Sequence, residues 1–526
     1  MTTGEAILGR MMLAFDGERV PDWMAARLQT RPAAGVTLFP SLNVRSPGQV
    51  RELTDALQRA TAEHPGPFLL AADQEGGQLI GLGTETTQFA GNMALGAVDD
   101  VALTEAVGAA IGREARAMGV NVVYAPVLDL ASEPANAALG TRSFGDDPAL
   151  VARHGVALIR GLQLAGAAAT AKHFPGHGEM AQDPHHELGV VELSREDLEA
   201  RTLVPFRAGI EAGVKMVMSG HVAVPAVTGD PTLPATLSRD AMYDLLRTEL
   251  GFDGLSISDA LDMHAIAQGT AQAVEVIAAV RAGLDLLLCT ADREAQERIE
   301  ATLVSAVARR LCEPAEMAAS TARLAALRRW LAEAGPPPDL DVVGGRDHRA
   351  LSRTLAERAL TRLDESDEPM RFERSTRLLA IMPEPRDLTP ADTSSAVEPG
   401  LGRALRTKFD SVEEVVVAVA PSDETIADLR ARATGGEVDA VIVGTIEAHR
   451  QPAQAALVAA LAGTGTPTVA VAMRTPWDAS VYPARVPAIA TYSIHPDPLE
   501  ALARALAGAI PTPGRVPVRI AAVARP

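Results

Sequence analysis

Short apolar runs alternate with longer amphipathic stretches from residue 1 to about residue 335. The runs are Val36–Phe39, Phe68–Ala72, Asn121–Val127, Val214–Met218, Leu255–Ser258 and Leu284–Leu288, many of them β-branched. Between them, Pro47–Thr61, Asp99–Met118, Pro148–Ala165, Arg195–Ala212 and Ala271–Arg281 carry apolar residues at helical spacing. Strand followed by helix at this rhythm predicts parallel βα units. Several such units over this length predict an N-terminal (β/α)8 TIM-type barrel. An open doubly wound sheet shares the pattern and stays open as an alternative.

The rhythm breaks at Ala334–Gly345, AGPPPDLDVVGG, where consecutive prolines extend the chain. A helix is expected over His348–Leu363. Strands are then expected at Arg377–Met382, Val415–Val419, Val438–Val443, Thr466–Val471 and Ala488–Tyr492. The expected organisation is a barrel over 1–335, a linker over 336–346 and a smaller α/β sandwich domain over 347–526.

Composition narrows the partners. The chain has 526 residues with a formal net charge of -19, a balance that argues against nucleic acid or an anionic membrane surface. The N-terminus lacks a basic start followed by an apolar run, so no signal peptide is expected. No stretch of about 20 apolar residues is present to span a bilayer. Two cysteines, Cys289 and Cys312, cannot form a disulfide framework. Together these predict a cytoplasmic protein. Aromatic residues are only 3%, which favours a small pocket over a long groove lined with sugar-stacking rings.

The polar residues that interrupt the apolar runs carry the chemistry. Asp73 follows Phe68–Ala72, Lys172 and His173 follow Ala167–Ala171, His221 follows Lys215–Gly220, and Asp259 follows Leu255–Ser258. Strand ends converge on one face of a β/α barrel, and that face is where sites are built. One such residue reads as a turn former or helix cap; several at the same topological position read as a site. Four motifs stand out: D-Q-E-G-G at 73–77, R-S-F-G at 142–145, K-H-F-P-G-H-G at 172–178 followed by Asp183-Pro184-His185, and G-F-D-G-L-S-I-S-D-A-L at 251–261. Asp73 can accept from two sugar hydroxyls, while Arg142 and Lys172 can donate charge-assisted bonds. Asp259 could be an N-cap, or a nucleophile attacking an anomeric carbon. His173, His177, His185 and His186 are four of the eleven histidines, which raises metal binding. Lys172 beside them opposes a cation, and neither H-E-x-x-H nor a cysteine pair is present, so no metal and no cofactor are expected.

These motifs resemble glycoside hydrolase family 3, in particular its β-N-acetylglucosaminidase branch. The resemblance covers most of residues 5–330 and includes R-E-A-R-A-M-G-V-N-V-V-Y-A-P-V-L-D-L at 113–130. It implies Asp259 as nucleophile, His185 as acid/base and Asp183 as its carboxylate partner. It implies Asp73, Arg142, Lys172 and His173 as holders of the non-reducing sugar, with His221 added as a further strand-end candidate. The implied reaction is two-step and retaining: Asp259 attacks while His185 protonates the leaving oxygen, and His185 then deprotonates water. The implied partner is a small glycoside; oligomeric state stays open.

The chain departs from the family pattern twice. Proline stands at 184 where serine is common, which keeps the spacing of the dyad. Gly81 stands eight residues beyond Asp73, where the family often has arginine, and the whole run Gln78–Gly83 is less polar. Three alternatives follow: a phosphorylase using phosphate in place of water, a β-glucosidase, and a sugar-binding protein without catalysis. The pair Asp183–His185 argues against a β-glucosidase, which usually takes a glutamate acid/base from its second domain.

Overall fold

The computed structural model describes residues 7, 9–31, 33–180, 188–263, 265–266, 268–364 and 370–520. Eight parallel strands close a barrel in sequential order: β1 (Met11–Leu13), β2 (Gly35–Leu38), β3 (Leu69–Ala72), β4 (Val122–Val123), β5 (Ala168–Phe174), β6 (Met216–Ser219), β7 (Leu255–Ala260) and β8 (Leu286–Leu288). β1 pairs with both β2 and β8, so the sheet has no edge and the open doubly wound alternative is excluded.

Local chemistry sets the helix starts. Ser46 and Asp147 each accept a backbone N–H at the start of a helix whose first residue is proline, Pro47–Ala60 and Pro148–Leu164. Proline at that position loses no intrahelical bond. Val50, Leu53 and Leu57 from the first of these helices, and Leu158, Ile159 and Leu162 from the second, pack into the layer between helices and barrel.

Two sequence expectations shift. The run Asn121–Val127 yields only two residues of strand, because Pro126 has no N–H to give the ladder. β5 runs on through Lys172 and His173 rather than ending before them, and Asp259 is likewise inside β7.

Beyond the barrel, helix Arg346–Ala359 sends Leu355 and Ala359 into the barrel core and Ala356 into the core of a second sheet. That sheet has six strands: β9 (Thr361–Arg362), β10 (Arg377–Pro383), β11 (Ser411–Val417), β12 (Ala440–Thr445), β13 (Thr468–Ala472) and β14 (Ala488–Ala490), in the order β9-β14-β13-β12-β10-β11. Only the β9–β14 pairing is antiparallel. Helices cover both faces, giving an α/β sandwich. The segment ahead of Arg346 is held against the barrel: Arg116 donates to the Gly335 carbonyl at 2.6 Å, and the Glu114 carboxylate accepts from the Gly344 N–H at 3.2 Å and meets the His348 ring at 2.7 Å. Among the described residues no helix is long and apolar enough to cross a membrane.

Candidate active site

A cavity of about 790 Å³ opens at the C-terminal ends of the barrel strands. Asp73, Arg142, Lys172, His173 and Asp259 all line it, so the structure brings together five of the residues singled out in the sequence. Its outer wall comes from the second sheet's loops, with Asp392, Thr393 and Ser395 after β10 and His495 after β14. The C-terminal ends of both sheets therefore converge on one cavity.

The inner wall is a charge-balanced network. Lys172 Nζ lies 2.5 Å from Asp73 Oδ1 and 2.6 Å from Glu75 Oε1. Arg142, on the turn Gly140–Arg142, reaches both oxygens of Glu75 at 2.9 Å and donates to the Ala138 carbonyl at 2.8 Å. Two cations and two carboxylates thus share a buried wall, and each is stabilised only while the others are in place. Burial pushes the Glu75 carboxyl up, but Arg142 and Lys172 more than offset it and hold it at about 2. Burial also pushes Asp73 up, here against the pull of Lys172, and its value is raised. Lys172 is disfavoured by burial, yet Asp73 and Glu75 raise its value, so it stays charged at neutral pH.

His173 is oriented from behind. Its Nδ1 lies 2.7 Å from the fully buried Asp129 carboxylate, whose other oxygen accepts the His177 N–H at 2.9 Å. Burial outweighs Asp129 and lowers the His173 value to about 4, so the ring is neutral at pH 7. A neutral ring that donates Nδ1–H to Asp129 presents Nε2 as an acceptor, which faces Arg142 Nη2 at 3.4 Å. Asp129, His173 and His177 each bring a possible metal-ligand atom within 4.8 Å of the others. The Arg142 guanidinium beside His173 opposes a metal ion there.

The K-H-F-P-G-H-G loop closes tightly over the barrel rim. A Cβ at Gly178 would fall 1.6 Å from the Leu130 carbonyl oxygen, so that close approach requires glycine. Gly81 has a similar cause: its N–H donates to the Asp73 carbonyl at 2.8 Å, and a Cβ there would sit 2.2 Å from the same oxygen. An arginine at 81 does not fit this backbone. Instead, Gln78–Ile80 binds the second sheet's loop: the Thr393 N–H donates to the Gln78 carbonyl at 2.8 Å, and Thr393 Oγ1 accepts the Ile80 N–H at 3.0 Å.

His221 is not one of the described residues that line the cavity. Its ring nitrogens meet Thr236 Oγ1 at 2.8 Å and the Ala260 carbonyl at 3.1 Å, which props the residue next to Asp259. Asp183 and His185 lie outside the described residues. Glu75 and Asp129 belong to the site although no sequence signal assigned them a role, and His177, read there only as a metal-ligand candidate, joins them. Glu75 lies within D-Q-E-G-G, and Asp129 comes two residues after the apolar run Asn121–Val127, so a search just past the strand ends could have found it.

Residues 11–327, beginning with β1, match the model described as the glycosyl hydrolase family 3 N-terminal domain. The chain belongs to glycoside hydrolase family 3. Family relatives include β-hexosaminidase A of Pseudoalteromonas piscicida, 32% identical over 65% of this chain. The aligned part spans 61% of that relative, so the chain covers less than two thirds of its length. A β-hexosaminidase of Nitrosomonas eutropha is 34% identical over 56% of this chain and 84% of its own. Among solved structures, a family 3 β-N-acetylglucosaminidase from Paenibacillus sp. strain FPU-7 is 34% identical, with a TM-score of 0.93 and 99% of both chains covered.

Proposed function

We propose that this family 3 glycoside hydrolase is an exo-acting, retaining β-N-acetylglucosaminidase that removes a terminal β-linked N-acetylhexosamine from a small glycoside. The observation that carries the reading is that Asp259 lines one cavity together with Asp73, Lys172 and Arg142, whose cations Glu75 ties together from behind. The full-length likeness to the Paenibacillus enzyme supports the choice of sugar.

In the proposed reaction the network holds the non-reducing sugar. Asp73 accepts from its hydroxyls, and Arg142 and Lys172 donate to its oxygens. An Asp259 oxygen attacks the anomeric carbon while the bond to the leaving oxygen breaks, and His185 gives that oxygen its proton. Asp183 stabilises the charged form of His185. Water then attacks the same carbon, His185 takes its proton, and the Asp259 carboxylate is released with the anomeric configuration retained. His221 steadies Ala260 and so the direction of Asp259.

Release of nitrophenol from the aryl β-glycosides of N-acetylglucosamine and glucose, each with and without phosphate, tests the reading. Turnover of the N-acetylglucosaminide without phosphate is expected. A preference for the glucoside, or a sugar 1-phosphate product, would overturn it.

A further inference from the structure

We propose that His449, in the second domain, is a positioning residue for the sugar-binding network: seated between Asp478 and the barrel's Pro134 carbonyl, it fixes the 133–142 stretch that carries Arg142. The inference rests on the proposed sugar-binding role of Arg142.

His449 follows β12. Its Nδ1 lies 2.7 Å from Asp478 Oδ1 and its Nε2 lies 3.0 Å from the Pro134 oxygen. Both partners are acceptors, and an imidazole holds both bonds at once only as the imidazolium. Burial disfavours that charge, but Asp478, the Pro134 carbonyl and Glu447 more than offset it, and the His449 value is raised. Asp478 is itself fully buried and fixed by the Thr445 hydroxyl at 2.5 Å. The Trp477 ring packs edge-on against the imidazole at 5.8 Å. The donor end of this clamp is therefore rigid.

On the barrel side, the stretch after Ser132 leads straight to the cavity. The Glu133 N–H donates to the Gly178 carbonyl at 3.2 Å, and Asn136 Nδ2 donates to the His177 carbonyl at 3.0 Å. The Ala138 carbonyl receives Arg142 Nη1, and the Leu139 carbonyl receives the Arg142 N–H at 2.9 Å. The bidentate pair with Glu75 sets the plane of the guanidinium, and the Ala138 carbonyl sets where its Nη1 edge sits. Ala138 is the second anchor, and Pro134 ties its stretch to the second domain. Loosening a support of this kind by about 1 Å can cost as much as about 100-fold in rate.

The test compares full-length H449A, H449Q and H348A for kcat, KM and melting temperature. It uses whichever of the two aryl glycosides the wild type cleaves, and calorimetric binding of free N-acetylglucosamine supplies the same comparison without turnover. H449A is expected to raise KM about tenfold, with a smaller fall in kcat. H449Q is expected to recover most of this, since its amide donates to Pro134. H348A breaks the tie to Glu114, away from the cavity, and is expected to lower melting temperature with KM unchanged. If H449A does not fold, D478N carries the comparison: it removes the charge that holds the His449 imidazolium and is expected to raise KM in the same direction. An unmoved KM and affinity in H449A, or in D478N where H449A does not fold, or an equal change in H348A, overturns the proposal. A wild type that cleaves neither glycoside and binds no N-acetylglucosamine overturns the functional reading instead.

Discussion

The barrel buries two clusters of opposite charges, one at each end. At the C-terminal ends of the strands, Asp73 and Glu75 share Lys172 and Arg142. At the other end, Asp285 immediately precedes β8. It receives Arg247 Nη2 at 2.5 Å, Arg323 Nη2 at 2.6 Å and the Ser256 N–H at 2.9 Å, while Arg10 donates to the neighbouring Leu284 carbonyl at 2.9 Å. Distances are alike, and each cluster centres on a buried carboxylate, Glu75 in one and Asp285 in the other. The difference is what each cluster faces. The upper one lines the cavity, while Arg10, Arg247, Asp285 and Arg323 are not on its wall. In a β/α barrel the first position belongs to chemistry and the second to stability. Buried ion pairs alone would not have told the two apart.

The sharpest break in the comparison is at the upper end. Asp259→Ala removes the proposed nucleophile and leaves the four-residue charge network intact. kcat is expected to fall by about 10⁴-fold or more, the scale on which losing a nucleophile acts, while calorimetry still registers sugar binding. Turnover that survives would remove Asp259 from the mechanism. Lys172→Met comes next. It leaves Asp73 and Glu75 buried with Arg142 as the remaining cation of the network. kcat/KM is expected to drop by roughly 10²- to 10³-fold. Glu75 is held at about 2 partly by Lys172, so its value rises in the variant. The ionised form is then lost at higher pH, and the acid limb of the kcat/KM profile moves up. A profile that keeps its acid limb would mean that Glu75 is not needed as a carboxylate.

Much of this upper cluster was legible in the sequence because its residues interrupt apolar runs. Asp73 and Asp259 each follow a run of core residues, and period and hydropathy alone find such positions. The same logic misplaced the end of β5. In AATAKHF every residue is buried, so a charged Lys172 looked like the end of the strand when it is part of it. β1 escaped notice because three residues are too few to show a period. β11 is expected over Val415–Val419 but begins four residues earlier, at Ser411, because its first half, Ser411–Glu414, is mostly polar, as a sheet edge allows. The second domain's share of the site left no local trace at all. His449 meets Pro134 across 315 residues, and Thr393 pairs with the Gln78 carbonyl across a similar span. Contacts of that reach are set by the packing of two sheets, and no window of sequence contains both partners.

The lower cluster supplies the smallest effect on turnover and the cleanest contrast. Asp285→Asn keeps the shape of the side chain and removes its charge, leaving the buried Arg247 side chain and the partly exposed Arg323 without their counter-ion. Breaking a buried pair in this way costs about 3–5 kcal/mol, so the melting temperature is expected to fall clearly. KM for the aryl glycoside is expected to stay at the wild-type value. The loss should also depend on pH with a definite sign. Burial pushes Asp285 up, but Arg247 and Arg323 more than offset it and its value is lowered in the folded protein. A carboxylate with a lowered value stabilises the fold above its unfolded pKa of about 3.9, and that stability is lost as pH falls through the folded value. The gap in melting temperature between wild type and Asp285→Asn should therefore be widest near neutral pH and narrow below about pH 4. A gap independent of pH would mean that the variant acts through packing rather than charge. A raised KM would mean that the two ends of the barrel are coupled, and the division between them would fail.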